Sequence, residues 1–281
     1  MSLFRITTWP GQTVPIPPVH PWTVAVVEDE FLVYGDQGAP KELPDEFVLR
    51  ELFDVDVEDV AALAQFTEQW GLLTSLSRGP DSQPDPLSLL PRHETERGIA
   101  DRIHKTLSDL TDRTGANPYF TVPHSAAVLH LRVMRALTRQ WIASQQGLGD
   151  EDVLAAWTTE GLTRPPSVQD AWRRWEEHLN TALRPFQVSV HIALDAGTAR
   201  SEGLIAPNLY AVMALQLANL VGEEATLSNC SNETCGRVFS RQRGRAEFGQ
   251  HRTRGVLYCS STCARAQAQR EYRRRKREER S

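Results

Sequence analysis

The sequence predicts an α+β protein: a mostly helical N-terminal domain with a small β-hairpin, then a C-terminal treble-clef-like zinc finger with a basic helix. Three observations predict it. Long segments between residues 56 and 221 have the apolar spacing of helices, two β-prone runs near the N-terminus flank an acidic turn, and all four cysteines lie between residues 230 and 263. We divide the chain into a regulatory domain over 1–225, a finger over 226–268 and an Arg-rich helical tail over 269–281.

The N-terminal domain is predicted to begin with a hairpin. Residues 23–27 and 31–34 are β-prone and enclose an acidic Glu-Asp-Glu segment. Residues 56–70 then have helical spacing, with Asp56 or Asp59 as the N-cap. Residues 78–92 contain four prolines, which break regular structure, so we expect an exposed loop there.

The remainder of this domain is predicted to be helical with one strand. Trp172, Trp175 and Leu179 repeat at i, i+3 and i+7, which favours core packing over a ligand pocket. His130 lies on an apolar helical stripe and is interpreted as a hydrogen-bonded core residue. We predict helices over residues 94–110, 125–146, 150–158 and 207–221, another between Pro165 and Pro185, and a strand over 186–194.

The four cysteines are spaced as a single metal site. Cys230 and Cys235 are spaced C-x4-C, and Cys259 and Cys263 are spaced C-x3-C. Four thiolates complete the tetrahedral shell of one Zn2+ and leave no position for substrate, so the site is structural. The alternatives are unligated thiols or two disulfides, and His251 is the other candidate ligand. The N-terminus lacks the pattern of a secretory signal, so we expect a cytoplasmic protein with reduced thiols, which favours zinc.

The residues around the cysteines predict the order knuckle, hairpin, helix. Gly236 suits the tight turn of a zinc knuckle. Residues 237–239 and 256–258 are short β-prone runs that we expect to pair. The spacing of Cys259 and Cys263 places both thiolates on one face of a helix that begins near residues 260 and 261.

Residues 230–276 resemble the CGNR-type zinc finger of bacterial proteins described as stress-responsive transcriptional regulators. The shared features are the C-x4-C-G opening, Phe239 four residues after Cys235, the Tyr258-Cys259-Ser260 approach and the Arg-rich helix after Cys263. The family's Gly-Asn-Arg tripeptide is replaced here by residues 264–266, Ala-Arg-Ala. The resemblance implies a zinc site and does not carry over a base-reading role for the tripeptide. The family's N-terminal domain, called ABATE, is matched only in being mostly helical.

The charge distribution predicts a polyanionic partner for the C-terminal part. Residues 230–281 contain 14 Lys or Arg and 5 Asp or Glu, a net charge of +9, while the preceding residues carry −14. A concentrated basic stripe is typical of proteins that bind a phosphate backbone. The alternative is a solvated basic tail, and we expect the helix to fray after about residue 272 without a polyanion. The candidate nucleic-acid-binding residues are Arg265, Arg270, Arg273, Arg274, Lys276 and Arg277.

The motifs of the best-marked enzyme classes are missing from the sequence. It contains no P-loop, no nucleotide-binding glycine motif, no nucleophile elbow and no paired histidines at metal-ligand spacing, so we expect no catalytic residues. Three hypotheses remain. The first is a DNA-binding regulator whose acidic domain forms a homodimer or senses a signal. The second is an RNA-binding adaptor. The third is a protein-interaction module whose basic helix is masked by the acidic domain. No membrane partner is expected.

Overall fold

The computed structural model describes only part of the chain. The described residues are 14–73, 105, 109, 112, 121–186, 191–193, 198–200, 208–223, 225–241 and 256–279. The loop predicted over 78–92 lies outside them. So does most of the helix predicted over 94–110, although Lys105 and Asp109 are helical.

A small antiparallel sheet opens the fold. Strands β1 (Trp22–Val27) and β2 (Phe31–Gln37) form the predicted hairpin, and β3 (Thr121–Pro123) pairs with the other edge of β2. Glu28 and Asp29 both have a φ of 54°, as the mirror-image turns that match strand twist require. The predicted hairpin is therefore confirmed. The side chain of Leu32 is buried, so one face of the sheet packs against the core.

Six described helices form the bulk of the N-terminal domain. The helices predicted to begin near residues 56, 125, 150, 167 and 207 are present, with ends that differ by a few residues. Side chains of Asp59, Ser167 and Asn208 cap three of them by accepting bonds from backbone amides, because the first amides of a helix lack partners inside it. The helices are α1 (Glu51–Asp54), α2 (Val60–Trp70), α3 (His124–Gln145), α4 (Asp150–Thr159), α5 (Val168–Ala182) and α6 (Leu209–Gly222), and a 3-10 turn, Phe47–Leu49, precedes α1.

Helix α3 lies at the centre of the core and accepts hydrogen bonds from two buried tryptophans. Trp157 on α4 donates its indole N–H to Gln140 at 2.6 Å, and Trp175 on α5 donates to the carbonyl of Leu137 at 2.9 Å. The Nδ1 of His130 donates to the carbonyl of Ala126 at 2.7 Å, since a carbonyl can only accept. His130 and the tryptophan stripe are therefore core residues, as predicted.

The strand predicted over residues 186–194 needs correction. Phe186 is not in a strand: its amide bonds to the Leu183 carbonyl, and Arg184–Phe186 continues the end of α5 as a 3-10 turn. Among the described residues of that segment, the strand is β4 (His191–Ala193), which pairs with β5 (Thr198–Arg200). Among the described residues, no helix is both long and apolar enough to cross a membrane.

The C-terminal part contains two strands and one long helix. Strand β6 (Thr226–Asn229) pairs with β7 (Val238–Arg241), and helix α7 (Ser261–Glu278) follows. The partner predicted for β7, residues 256–258, has no regular structure. Strand β6, which precedes Cys230, pairs with β7 instead, because the turn between Cys230 and Cys235 reverses the direction of the chain.

Candidate metal centre and cationic helix

The four cysteine sulfurs lie close enough together to hold one metal ion. All four Sγ atoms lie within 4.8 Å of one another, with Cys235 to Cys259 at 3.7 Å and Cys259 to Cys263 at 3.5 Å. Four sulfurs at the usual Zn–S distance are about 3.8 Å apart. A disulfide would bring two of them to about 2 Å, and all four cysteines are free. The cluster therefore can hold one metal ion, and its sulfur donors suit zinc. The other candidate ligand, His251, lies outside the described residues.

The first pair of sulfurs is set by a turn between β6 and β7. The amides of Cys235 and Gly236 both donate to the carbonyl of Asn232, at 2.8 and 3.3 Å, and the Cys230 amide donates to the Arg237 carbonyl at 2.8 Å. Gly236 has a φ of 60°, the left-handed conformation that other residues adopt at a cost of about 1 kcal/mol. The knuckle turn predicted at Gly236 is confirmed.

The second pair of sulfurs is set by the start of α7. Ser260 is the N-cap and accepts a bond from the Cys263 amide at 3.1 Å, so Cys263 lies in the first turn. Cys259 lies before the cap, and the prediction that both thiolates share one helix face is wrong. The capping turn brings them together instead, and a bond of 2.7 Å from the Ser231 amide to the Leu257 carbonyl joins the two halves of the site.

The local environment makes two of the thiols unequal in acidity. Burial is the main cause that raises the pKa of Cys259, and contacts with the neighbouring sulfurs add to it. The Ser260 hydroxyl, by contrast, is the main cause that lowers the pKa of Cys263. A bound cation would remove this difference, because metal coordination deprotonates a thiol outright. Of these two thiols, Cys263 is therefore the one more easily deprotonated.

Arg270 and Arg274, two of the candidate nucleic-acid contacts, bond to the finger's own loop. Arg270 donates to Asn232 Oδ1 at 2.5 Å and to Thr234 Oγ1 at 2.6 Å. Arg274 forms an ion pair with Glu233 at 2.6 Å. These contacts fix the rotation of α7 about its axis relative to the loop that carries the first two cysteines.

The other candidates are exposed on α7. Three of them share one side of the helix. Arg273 and Lys276 follow Arg265 by 8 and 11 residues, which places the three side chains within about 80° of one another around the helix. Gln269 lies within this arc and Tyr272 about 20° outside it, and Tyr272 is 58% exposed. We call these five residues the outward face of α7. Arg277 is also exposed and lies at the border of this face.

Helix α7 extends further than the charge pattern indicated. It runs to Glu278, whereas fraying was expected after residue 272. Two kinds of contact stabilise it: the bonds of Arg270 and Arg274 to the finger loop, and Glu271, which accepts a bond from Gln267 at 3.1 Å. Intramolecular acids thus neutralise part of the repulsion between the arginines.

The finger docks on the N-terminal domain through its metal-binding loops. Arg50 donates to the carbonyl of Cys259 at 2.9 Å, and Glu46 accepts from the Ser240 amide at 2.8 Å. Glu46 and Arg50 also form an ion pair with each other. Burial is the main cause that raises the pKa of the Glu46 carboxyl. Sequence reasoning missed both residues, because backbone atoms of the finger are their partners and leave no pattern in the sequence.

The docking leaves the outward face of α7 accessible. A second ion pair, Arg237 to Asp54 at 3.2 Å, also lies on the loop side of the finger. Of the described helices and strands, none packs along α7. Among the described residues, the acidic domain therefore contacts the finger at a surface other than the outward face of α7.

We expect Arg50→Ala to accelerate the loss of a metal loaded into the cluster. The substitution removes the bond to the carbonyl of Cys259, one of the four clustered cysteines, and leaves Glu46 without its ion-pair partner. A bond of this kind is worth about 1–2 kcal/mol, so zinc transfer to a colorimetric chelator should be about tenfold faster. The matched control is Arg173→Ala, an exposed arginine on α5 that pairs only with Asp170 among the described residues. Equal rates in both variants would show that docking does not stabilise the site.

The chain is thus a mixed helix and strand protein with four clustered cysteines near its C-terminus that could bind a metal. No family model, no curated protein and no solved structure matches it.

Proposed function

We propose that this protein is a zinc-finger nucleic-acid-binding protein, specifically a DNA-binding transcriptional regulator. The observation that carries the proposal is the outward face of α7, a row of exposed cations on a helix that begins within a four-cysteine cluster. Exposed cations with regular spacing neutralise phosphates and release counterions, which supplies sequence-independent affinity. The resemblance of the finger to the CGNR type points to the same role.

Zinc is the metal that suits this site best. Four cysteine sulfurs and no described oxygen ligand form a soft donor set, and the sulfur separations agree with a tetrahedral zinc site. Such a site has no open position, so the metal has no catalytic role. Its function is to join the two cysteine loops and hold the start of α7 against them.

The six candidate contacts divide into two roles. Arg270 and Arg274 bind the finger loop and so position the helix. Arg265, Arg273 and Lys276 on the outward face, together with Arg277, contact the phosphate backbone. Because the docking surface lies on the other side of the finger, the whole chain binds DNA without first releasing its N-terminal domain.

Binding of single-stranded RNA is a second candidate, and one observation favours it. Tyr272 is 58% exposed at one edge of the outward face, with the Lys276 ammonium 6.0 Å from its ring centre. An exposed aromatic ring among cations can stack on an unpaired base, which a duplex does not offer. With one such ring, stacking is a minor contribution, and duplex DNA remains the preferred ligand.

A competition experiment at several salt concentrations tests the proposal. A fluorescently labelled duplex DNA is titrated with the zinc-loaded full chain and then competed with unlabelled duplex, single-stranded DNA and single-stranded RNA of equal length. We expect duplex DNA to compete best. Three to four phosphate contacts predict a slope of about −3 in a plot of log K against log salt concentration. Affinity that is independent of salt would exclude the proposal, and stronger competition by RNA would select the second candidate.

A further inference from the structure

A cavity lies at the junction between the finger and the N-terminal domain. Its volume is 470 Å³, within the range of about 300–1,000 Å³ that is typical of small-molecule sites. Residues 236–238 of the finger form one wall, and the turn before α1, α1 itself, α3 and α4 form the others. The cavity therefore exists in this shape only while the finger is docked.

The greater part of the lining is apolar. Leu49, Phe53, Ile142, Leu148 and Val238 all contribute to it. Leu148 is 47% exposed, which places it where the cavity opens to solvent. Apolar walls of this kind favour a ligand with a hydrocarbon or aromatic body, because its burial removes apolar surface from water.

Two guanidinium groups from different parts of the fold border the cavity. Arg139 on α3 bonds through Nε to Glu160 at 2.5 Å, and its guanidinium lies 4.8 Å from the ring centre of Phe53. Arg237 on the finger bonds through one Nη to Asp54 at 3.2 Å. A guanidinium carries five N–H donors, and among the described residues each of these two uses one. The remaining N–H donors of Arg139 and Arg237 are available to an anion. Both guanidinium groups border the apolar lining of the cavity.

We propose that this cavity binds a small amphipathic carboxylate, with its apolar body against the leucine and phenylalanine side chains and its carboxylate between Arg139 and Arg237. Asp152 is the single acid in the lining and weakens the attraction, so the site favours one negative charge over several. A ligand that touches both parts binds the docked arrangement better than the undocked one. It therefore shifts the equilibrium toward docking and stabilises the finger. The inference does not depend on nucleic-acid binding.

The probe for this site is 1-naphthoate, titrated calorimetrically into the zinc-loaded full chain. We expect saturable binding of one molecule per chain. The neutral analogue 1-naphthalenemethanol has the same rings without the charge and is expected to bind at least tenfold more weakly. Equal affinity for the two probes would overturn the assignment of a carboxylate, and no saturable binding of either would overturn the site.

Variants locate the binding within the cavity. Ala155→Trp places a large ring in the lining and is expected to abolish naphthoate binding, whereas Thr158→Trp, on an exposed position of the same helix, should not change it. Asp152→Asn removes the like charge and should tighten binding two- to fivefold. Binding that survives Ala155→Trp, or that weakens in Asp152→Asn, would place the naphthoate elsewhere. The Asp152 variant keeps the test decisive if the tryptophan variant does not fold.

Discussion

Replacing Arg265, Arg273 and Lys276 together with glutamate is expected to lower the affinity for duplex DNA about a hundredfold or more at physiological salt. The triple variant removes three cations from the outward face of α7 and places three anions there, so attraction to phosphates becomes repulsion. The slope of log K against log salt concentration should approach zero. The measurement is fluorescence anisotropy of a labelled duplex at three salt concentrations, with the metal content of each sample determined beforehand.

The control for this variant reverses charges that are not on α7. Arg164 and Arg173 are exposed on the N-terminal domain, where they pair with Glu151 and Asp170. Reversing both should leave DNA affinity within about twofold of the original, since neither residue lies on the outward face of α7 and salt screens exposed charges away from the interface. If the two variants lose affinity equally, binding depends on the net charge of the molecule and the outward face has no special role.

Removal of zinc is expected to unfold the finger while the N-terminal domain stays folded. The reason is the small core of the finger: among its described residues, Phe239 is the only large apolar side chain that is buried. A module of this size cannot fold on so little apolar burial, and a structural zinc contributes about 10–16 kcal/mol in comparable peptides. Cys235→Ser should have the same effect as a chelator.

Two measurements follow the unfolding. Hydrogen exchange should show loss of protection over residues 226–279 and unchanged protection in α3 and α5. Circular dichroism should report the loss of the 18-residue helix α7, whose cap and arginine contacts depend on the metal site. Ser231→Ala, next to a ligand, is the control and should retain both signals. Native mass spectrometry that finds no zinc in protein purified without chelators would contradict the zinc assignment itself.

Features that depend on a few neighbouring residues were predictable from the sequence. The hairpin around residues 28–30, the helix caps at Asp59 and Ser260 and the left-handed turn at Gly236 all follow from local sterics and hydrogen bonding. The cysteine cluster was predictable for a different reason. All four cysteines lie between residues 230 and 263, and four thiolates are enough to complete one tetrahedral metal site.

Features that depend on long-range packing were not predictable. Strand β7 pairs with β6 rather than with residues 256–258, because the turn between Cys230 and Cys235 brings β7 back alongside β6. A rotation of α7 by half a turn would exchange the sides on which Arg265 and Arg274 lie, and the sequence pattern does not contain that angle. The structure fixes it through contacts between Arg270 and residues of the finger loop nearly 40 positions away in the sequence.

The sequence by itself therefore determined that this chain has a helical domain with a small hairpin, four clustered cysteines and a cationic C-terminal helix. Only the tertiary structure decided which arginines face solvent, which surface of the finger meets Glu46 and Arg50, and that a cavity forms between the two parts. The physical reason is the range of the interactions. Helical periodicity and capping act over a few residues, whereas the rotation of a helix and the docking of a module depend on atoms that folding alone brings together.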